Sequence, residues 1–221
     1  MGSYRFRRFI VVTVLLLIAA IPLSQQSMAL PTLEEIINNR EVSVPAALND
    51  LPVKGRAPKT GYARSQFGEG WATNDSCDTR NTVLTRDLTD VVHDDRCRVL
   101  TGKLSDPYTG KIIPFQRGET TSDDVQIDHV VALSNAWQTG AQQLTYERRV
   151  AFANDPLNLL AVDGQANEQK SDGDAATWLP SNKSFRCSYV NRQVAVKKKY
   201  DLWVTQAERT AMAGVLQNCS G

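Results

Sequence analysis

Four cysteines constrain the fold of this chain more than any other feature, since they can cross-link it twice. They are Cys77, Cys97, Cys187 and Cys219. An even number of cysteines in an exported chain indicates disulfides. Of the three possible pairings we favour the first with the second and the third with the fourth, because each then closes a short stretch within one half of the chain. A structural zinc site is the alternative, but no two of these cysteines have the close spacing that such sites use.

The first 29 residues have the order of a secretory signal peptide. Three arginines within residues 5–8 precede an apolar run over residues 9–23, and Ser27 and Ala29 supply the small residues that a signal peptidase reads. We therefore predict cleavage after Ala29, a secreted protein and no stable membrane association after cleavage. An uncleaved anchor is the alternative, but about fifteen apolar residues fall short of the roughly twenty in a membrane span.

The chain after the signal peptide divides near residue 70, where a segment rich in proline, glycine and basic residues ends. Residues 30–70 are predicted to form a helix, opened by a capping box at Thr32–Glu35, and then a basic loop rich in proline and glycine. That loop is either a flexible linker or a segment that binds along the phosphates of a nucleic acid. Residues 71–221 suffice for one domain with its own core. Because 25 basic and 24 acidic residues nearly balance, a phosphate-binding surface must be local.

The hydrophobic pattern predicts an α+β domain. Residues 97–104 and 111–115 suit the two strands of a hairpin around a turn-rich segment. Val125 to Val131 alternates apolar and polar residues, which predicts a strand with Asp128 on the face opposite Val125. Further predicted elements are helices at 133–137 and 145–152, a strand at 157–162, and helices at 165–171, 186–202 and 205–216.

A small group of polar residues has the chemistry of a hydrolytic site. Of the two histidines, His93 has an ordinary polar setting, whereas His129 follows Asp128 at the end of the predicted strand. Asn158 and Asn167 come later, on the second predicted strand and on the helix after it. A neutral imidazole can take a proton from water near neutral pH. Carboxylate and amide oxygens suit a hard cation such as Mg²⁺, which keeps positions open for substrate phosphate.

These segments resemble a known nuclease superfamily. The segments that carry the resemblance are Ile127–Leu133, Asn158–Leu159 and Asn167–Asp172, together with Cys77–Arg80, Arg86–Leu88, Asp106–Gly110, Ala136–Ala141, Phe152–Asp155 and Trp178–Pro180. In this order they are similar to the ββα-metal, or His-Asn-His, endonucleases, and most of all to an exported branch that carries the domain of unknown function numbered 1524. The resemblance covers most of the chain from about Leu51 to Cys219.

The resemblance implies a ββα-metal (His-Me finger) core with additional helices and a role for each site residue. It implies that His129 is the general base, that Asp128 and Asn167 hold the metal, and that Asn158 is the middle asparagine that braces the base. Because the last motif position is Asn167 rather than histidine, the ligands are oxygen only, which favours Mg²⁺ (or Mn²⁺) over zinc or nickel. The products would be 5′-phosphate ends.

The expected function is therefore a secreted endonuclease that hydrolyses the phosphodiester bonds of DNA, or of RNA as well, with little sequence specificity. Two alternatives stay open: a nuclease toxin with a cognate inhibitor, although no motif indicates a protein inhibitor, and a catalytically silent envelope-binding module on the same scaffold. Candidate phosphate contacts are Arg80, Lys170, Arg148 and Arg149. The basic run Lys197–Lys199 is either a further contact or a solvated helix face.

Overall fold

The computed structural model of the chain describes residues 44–74 and 77–219. The predicted leader and the capping box at Thr32–Glu35 lie outside the described residues. The strands are β1 (Thr73–Asn74), β2 (Cys77–Asp78), β3 (Leu88–His93), β4 (Val99–Ser105), β5 (Ile112–Gln116), β6 (Val125–His129) and β7 (Leu159–Asp163). The helices are α1 (Val44–Asn49), α2 (Thr79–Asp87), α3 (Leu133–Gln138), α4 (Tyr146–Ala153), α5 (Gly164–Lys170), α6 (Arg186–Lys199) and α7 (Gln206–Leu216).

The strands form three small antiparallel sheets, ordered β1-β2, β3-β4-β5 and β6-β7. This mixture of helices and antiparallel sheets confirms the α+β class. The β4–β5 hairpin is the one predicted from residues 97–115, whereas α2 and β3 were not predicted. Among the described residues, no helix combines the length and apolar character needed to span a membrane.

The β6–β7 hairpin lies between two apolar clusters. Val125 and Ile127 of β6 pack into one cluster with Leu84 and Phe115. On the opposite face of the hairpin, Leu160 of β7 packs into the other cluster. The alternation predicted for residues 125–131 is therefore confirmed, and the strand ends at His129. The hairpin is held from both sides, which fixes the position of the polar residues at its ends.

Helix α5 begins directly after β7 because Asp163 caps it. The Asp163 side chain accepts a hydrogen bond from the backbone N–H of Ala166 at 2.7 Å. The first helical residue, Gly164, passes so close to the backbone carbonyl of Asp123 that a Cβ atom would lie 2.0 Å from that oxygen. A residue with a side chain therefore cannot occupy this position without moving the backbone, so the strand-to-helix junction depends on a glycine.

Both favoured disulfides are present. Cys77 and Cys97 have Cα atoms 5.5 Å apart, and Cys187 and Cys219 have Cα atoms 5.8 Å apart. The first closes the segment that contains α2 and β3, and the second joins the start of α6 to the residues after α7. Each cross-link therefore acts within one half of the chain, as predicted.

The basic loop, residues 51–70, is packed against the domain. The Arg56 guanidinium lies 2.7 Å from the Asp174 carboxylate, and the Lys59 ammonium lies 3.1 Å from that of Asp172. Val53 forms a β-bridge with Val204. The described residues, 44–74 and 77–219, lie in one compact unit, so this loop is part of the domain and not a linker that precedes it.

The basic run at the end of α6 is not a cationic surface. Lys197 is fully buried and lies 3.0 Å from the buried Glu208 carboxylate. Lys198 pairs with Asp50 at 2.8 Å and Lys199 with Asp155 at 2.6 Å. Because each ammonium has its own carboxylate, the run contributes to the packing and the ion pairing of α6.

Candidate active site

Polar residues at the end of β6 and on α5 line a cleft of about 500 Å³. His129 and Asp128 reach it from β6, Asn167 reaches it from α5, and Trp71 forms part of its wall. The structure therefore brings together the histidine, the carboxylate and the helix asparagine that were predicted to act together. Asn158 does not line the cleft.

His129 is held as a neutral base. It is 7 % exposed, and its Nε2 atom lies 2.9 Å from the backbone oxygen of Ala153. Because a carbonyl oxygen only accepts hydrogen bonds, Nε2 carries the proton and Nδ1 keeps its lone pair. Burial lowers the pKa of His129 to about 4, against a smaller rise from the Ala153 hydrogen bond. The imidazole is therefore neutral at neutral pH, with a proton on Nε2 alone.

Asn158 fixes the chain that follows His129. It is fully buried at the end of the Pro156–Asn158 turn, immediately before β7. Its Oδ1 accepts from the backbone N–H of Val131 at 2.9 Å, its Nδ2 donates to the Val131 carbonyl at 3.3 Å, and its backbone carbonyl accepts from Val130 at 2.8 Å. These bonds match a bracing residue rather than one that touches substrate.

Asp128 is held from the core side by two buried donors. Lys170 Nζ lies 2.9 Å from Asp128 Oδ1 and also donates to the backbone oxygen of His129 at 2.9 Å. The Tyr108 hydroxyl donates to Asp128 Oδ2. Burial, and then the Asp128 charge, raise the pKa of Tyr108 well above its usual value, so the phenol stays protonated. The carboxylate is thereby fixed in orientation at the edge of the cleft.

The residues at this edge fit a hard divalent ion. Asn167 Nδ2 donates to Gln126 Oε1 at 2.8 Å, which leaves its Oδ1 available as a ligand. Each Asp128 oxygen accepts one hydrogen bond and has a further lone-pair position. Among residues 44–74 and 77–219, no group of three His, Cys, Asp or Glu side chains could hold a metal. The oxygen pair therefore suits an ion that takes most of its ligands from water and phosphate, as Mg²⁺ does.

The predicted phosphate contacts are placed differently from one another. Arg80 lies in the cleft wall, so its predicted contact with phosphate stays a prediction. Lys170 is fully buried against Asp128, so its prediction as a phosphate contact was wrong. Arg149 is also buried, where its guanidinium donates to the backbone and side-chain oxygens of Gln66. Arg148 lies outside the cleft lining and donates to the Lys199 backbone oxygen. Both arginines stabilise neighbouring segments, and their contact with phosphate stays a prediction.

Sequence reasoning missed several residues of the cleft. Lys59 and Arg64 line it from the packed basic loop, and their charge was visible in the sequence although the docking position was not. Trp71 is only partly buried and stacks on His129. Tyr108 gave no signal beyond its place in a turn-rich segment, because its contact with Asp128 spans 20 residues of sequence.

Comparison with known proteins places the described domain among nucleases. Residues 78–215 match the family model described as GmrSD restriction endonucleases, C-terminal domain. The chain is 40% identical over 174 residues to an uncharacterized secreted protein from Arthroderma benhamiae, an alignment that covers 78% of this chain and 82% of that protein. No solved structure matches the chain.

Proposed function

The chain belongs to the family of GmrSD restriction endonuclease C-terminal domains, and from that membership and the cleft we propose that it is a secreted, divalent-metal-dependent endonuclease. The family supports nuclease activity on a nucleic-acid substrate. The predicted secretion is borne out by the secreted relative. The proposal depends mainly on one observation: a neutral, buried His129 lines the same cleft as Asp128 and Asn167.

We propose that β6, β7 and α5 form a ββα-metal core of the His-Asn-His type. In its support, two antiparallel strands are followed directly by a helix, with His129 ending the first strand and Asn167 on the helix. Asn158 stands between them as the brace. The order strand, strand, helix is the arrangement that the resemblance to the domain 1524 branch implies.

His129 acts as the general base in the proposed reaction. Its Nδ1 lone pair takes a proton from water, and the resulting hydroxide attacks phosphorus as the 3′ oxygen leaves in line. Asp128 and Asn167 would hold Mg²⁺ or Mn²⁺, which when bound supplies positive charge for the phosphate and the leaving oxygen. Asn158 keeps the base in place through Val130 and Val131. The products carry 5′-phosphates.

The cleft suits backbone recognition rather than base reading. Arg64 and Arg80 line it next to the proposed base, and guanidinium groups bind phosphates through paired donors. Phosphate contacts position a strand but carry no sequence information. We therefore propose DNA as the substrate, cut with little sequence specificity, and RNA as a second substrate to be tested in parallel.

The test is digestion of plasmid DNA and of single-stranded RNA by disulfide-intact protein with Mg²⁺, Mn²⁺ or chelator. We expect cleavage that chelator abolishes. His129→Ala should cost at least about a hundredfold in rate, since general-base catalysis contributes this much or more. His93→Ala is the matched control, because His93 is exposed, its side chain bonds Thr85 Oγ1, and it does not line the cleft. No cleavage of either substrate with any metal would leave a silent binding module as the better description.

A further inference from the structure

Both carboxylates that line the cleft are already paired with lysines. Asp128 lies 2.9 Å from the Lys170 ammonium, and neither side chain is more than 6% exposed. Asp172 accepts from the Lys59 ammonium at 3.1 Å and from Ser134 Oγ at 3.0 Å. Neither carboxylate therefore offers an uncompensated negative charge to an arriving cation.

Two arginines of the same cleft have no direct carboxylate partner in the described part of the chain, although the charges of Asp78 and Asp123 act on Arg80 from further away. Within residues 44–74 and 77–219, neither Arg64 nor Arg80 takes part in an ion pair. Arg80 donates only to the backbone oxygens of Ser122 and Val125, at 3.2 and 3.1 Å. A cleft with paired carboxylates and unpaired guanidinium groups attracts phosphate and repels a free divalent cation.

We propose that Lys170 makes divalent-ion binding depend on the substrate strand. By neutralising Asp128 it leaves the free cleft a weak cation site, and the phosphate that enters beside Arg64 and Arg80 supplies the missing negative charge. Mg²⁺ is commonly bound by one or two carboxylates together with substrate phosphates. The strand and the ion therefore bind cooperatively. This inference rests on the proposed function and names the residue that regulates its site.

The position of Lys170 allows this role without occupying the ion's place. Its ammonium approaches Asp128 from the interior and bonds the His129 backbone oxygen as well. Lys170 does not line the cleft, whereas Asp128 does. The lysine thus lowers the charge of the carboxylate and fixes its direction, while the cleft side of the carboxylate stays open.

Direct binding measurements test the coupling. Mn²⁺ is titrated into full-length, disulfide-intact His129→Ala protein, with and without a single-stranded DNA oligonucleotide, and the signal of the oligonucleotide alone is subtracted. We expect Mn²⁺ to bind at least about tenfold more tightly in the presence of DNA, and DNA to bind more tightly with Mn²⁺ by the same factor, because coupling between two ligands is reciprocal. Equal Mn²⁺ affinity in both states overturns the proposal.

The Lys170→Met variant tests whether Lys170 causes the coupling between Mn²⁺ binding and DNA binding. Without the ammonium, Asp128 keeps its full charge, so the free protein should bind Mn²⁺ more tightly and the coupling should shrink. Lys197→Met is the matched control, since it breaks an equally buried lysine–carboxylate pair with Glu208, and neither of those residues lines the cleft. Folded Lys170→Met protein with the same coupling as Lys197→Met overturns the role of Lys170.

The outcomes separate this inference from the proposed function. If the digestion assay shows no cleavage with any metal, the proposed function fails whatever the titrations give. If cleavage is present but Mn²⁺ and DNA bind independently, only the inference fails. Should Lys170→Met not fold, the titrations in the His129→Ala protein still decide whether the coupling exists.

Discussion

The indole ring of Trp71 stacks on the imidazole of His129, with their centroids 5.6 Å apart and their planes inclined by 13°. Trp71 is itself partly exposed and lines the cleft. It therefore covers one face of the proposed base and leaves the cleft side accessible. This cover contributes to the burial that keeps the imidazole neutral.

Trp71→Ala should raise the pKa of His129. Burial is the largest cause of its low value, so removal of the cover should move the pKa by about one unit or more toward 6.5. NMR titration of the imidazole in a His93→Ala background measures it, because that background leaves a single histidine. Trp71→Phe keeps an aromatic cover and should shift the pKa less. If the pKa of His129 is unchanged in Trp71→Ala, residues other than Trp71 bury the imidazole.

The metal-free protein should lose stability as the pH falls from about 6.5 to about 4. In the unfolded chain His129 takes up a proton near pH 6.5, whereas in the folded protein its pKa is about 4. The unfolded state therefore binds more protons in this window, which costs about 3 kcal/mol of folding free energy by pH 4. Urea unfolding in chelator at several pH values measures this loss, and His129→Gln should remove most of it. An equal loss in His129→Gln would place the titrating group elsewhere.

Asn158→Ala should lower activity more than its effect on stability explains. Loss of a buried hydrogen-bonding side chain costs about 1–3 kcal/mol, and the freed Val130–Val131 segment no longer holds His129 in place. Asn81→Ala is the control, because Asn81 is also buried and bonds Val99 and Arg117. At a temperature where both variants are folded, Asn158→Ala should have the lower rate. Equal rates would make Asn158 a packing residue only.

Arg64→Ala should weaken DNA binding at low salt and flatten its salt dependence. Each phosphate contact contributes about 0.9 to the slope of log affinity against log salt for duplex DNA. Arg148→Ala removes the same charge outside the cleft lining, where the guanidinium contacts Lys199 and Asp201, and should leave the slope unchanged. Fluorescence anisotropy in His129→Ala protein measures both. A flatter slope for Arg148→Ala would identify it as a phosphate contact.

The sequence was sufficient for features that depend on local pattern. Alternation predicted β6, and the helix predicted over residues 205–216 matches α7, which begins at Gln206. The adjacency of Asp128 and His129 predicted two residues that share the cleft. Local composition also misled at one point: the strand was predicted to begin at residue 157 and to include Asn158. The Asp155 side chain caps a short turn over Pro156–Asn158, so β7 begins two residues later, at Leu159.

The remaining features depend on contacts between distant segments. The sequence shows Lys170 as one more basic residue three positions after Asn167, and its burial follows only from the packing of α5 against β6. In the same way, Arg149 is buried because residues 64–67 pack on α4, a contact that the local sequence does not reveal. Residue type thus predicted the polar residues that line the cleft, while tertiary packing decided which cations face it.

The loop that carries Lys59 and Arg64 has a consequence for when the cleft is assembled. Its anchor Arg56 pairs with Asp174, which is 118 residues further along the chain. Because a polypeptide is synthesised from its N-terminus, this contact cannot form until Asp174 has also been made. The cleft is therefore completed late, when most of the domain is available to fold.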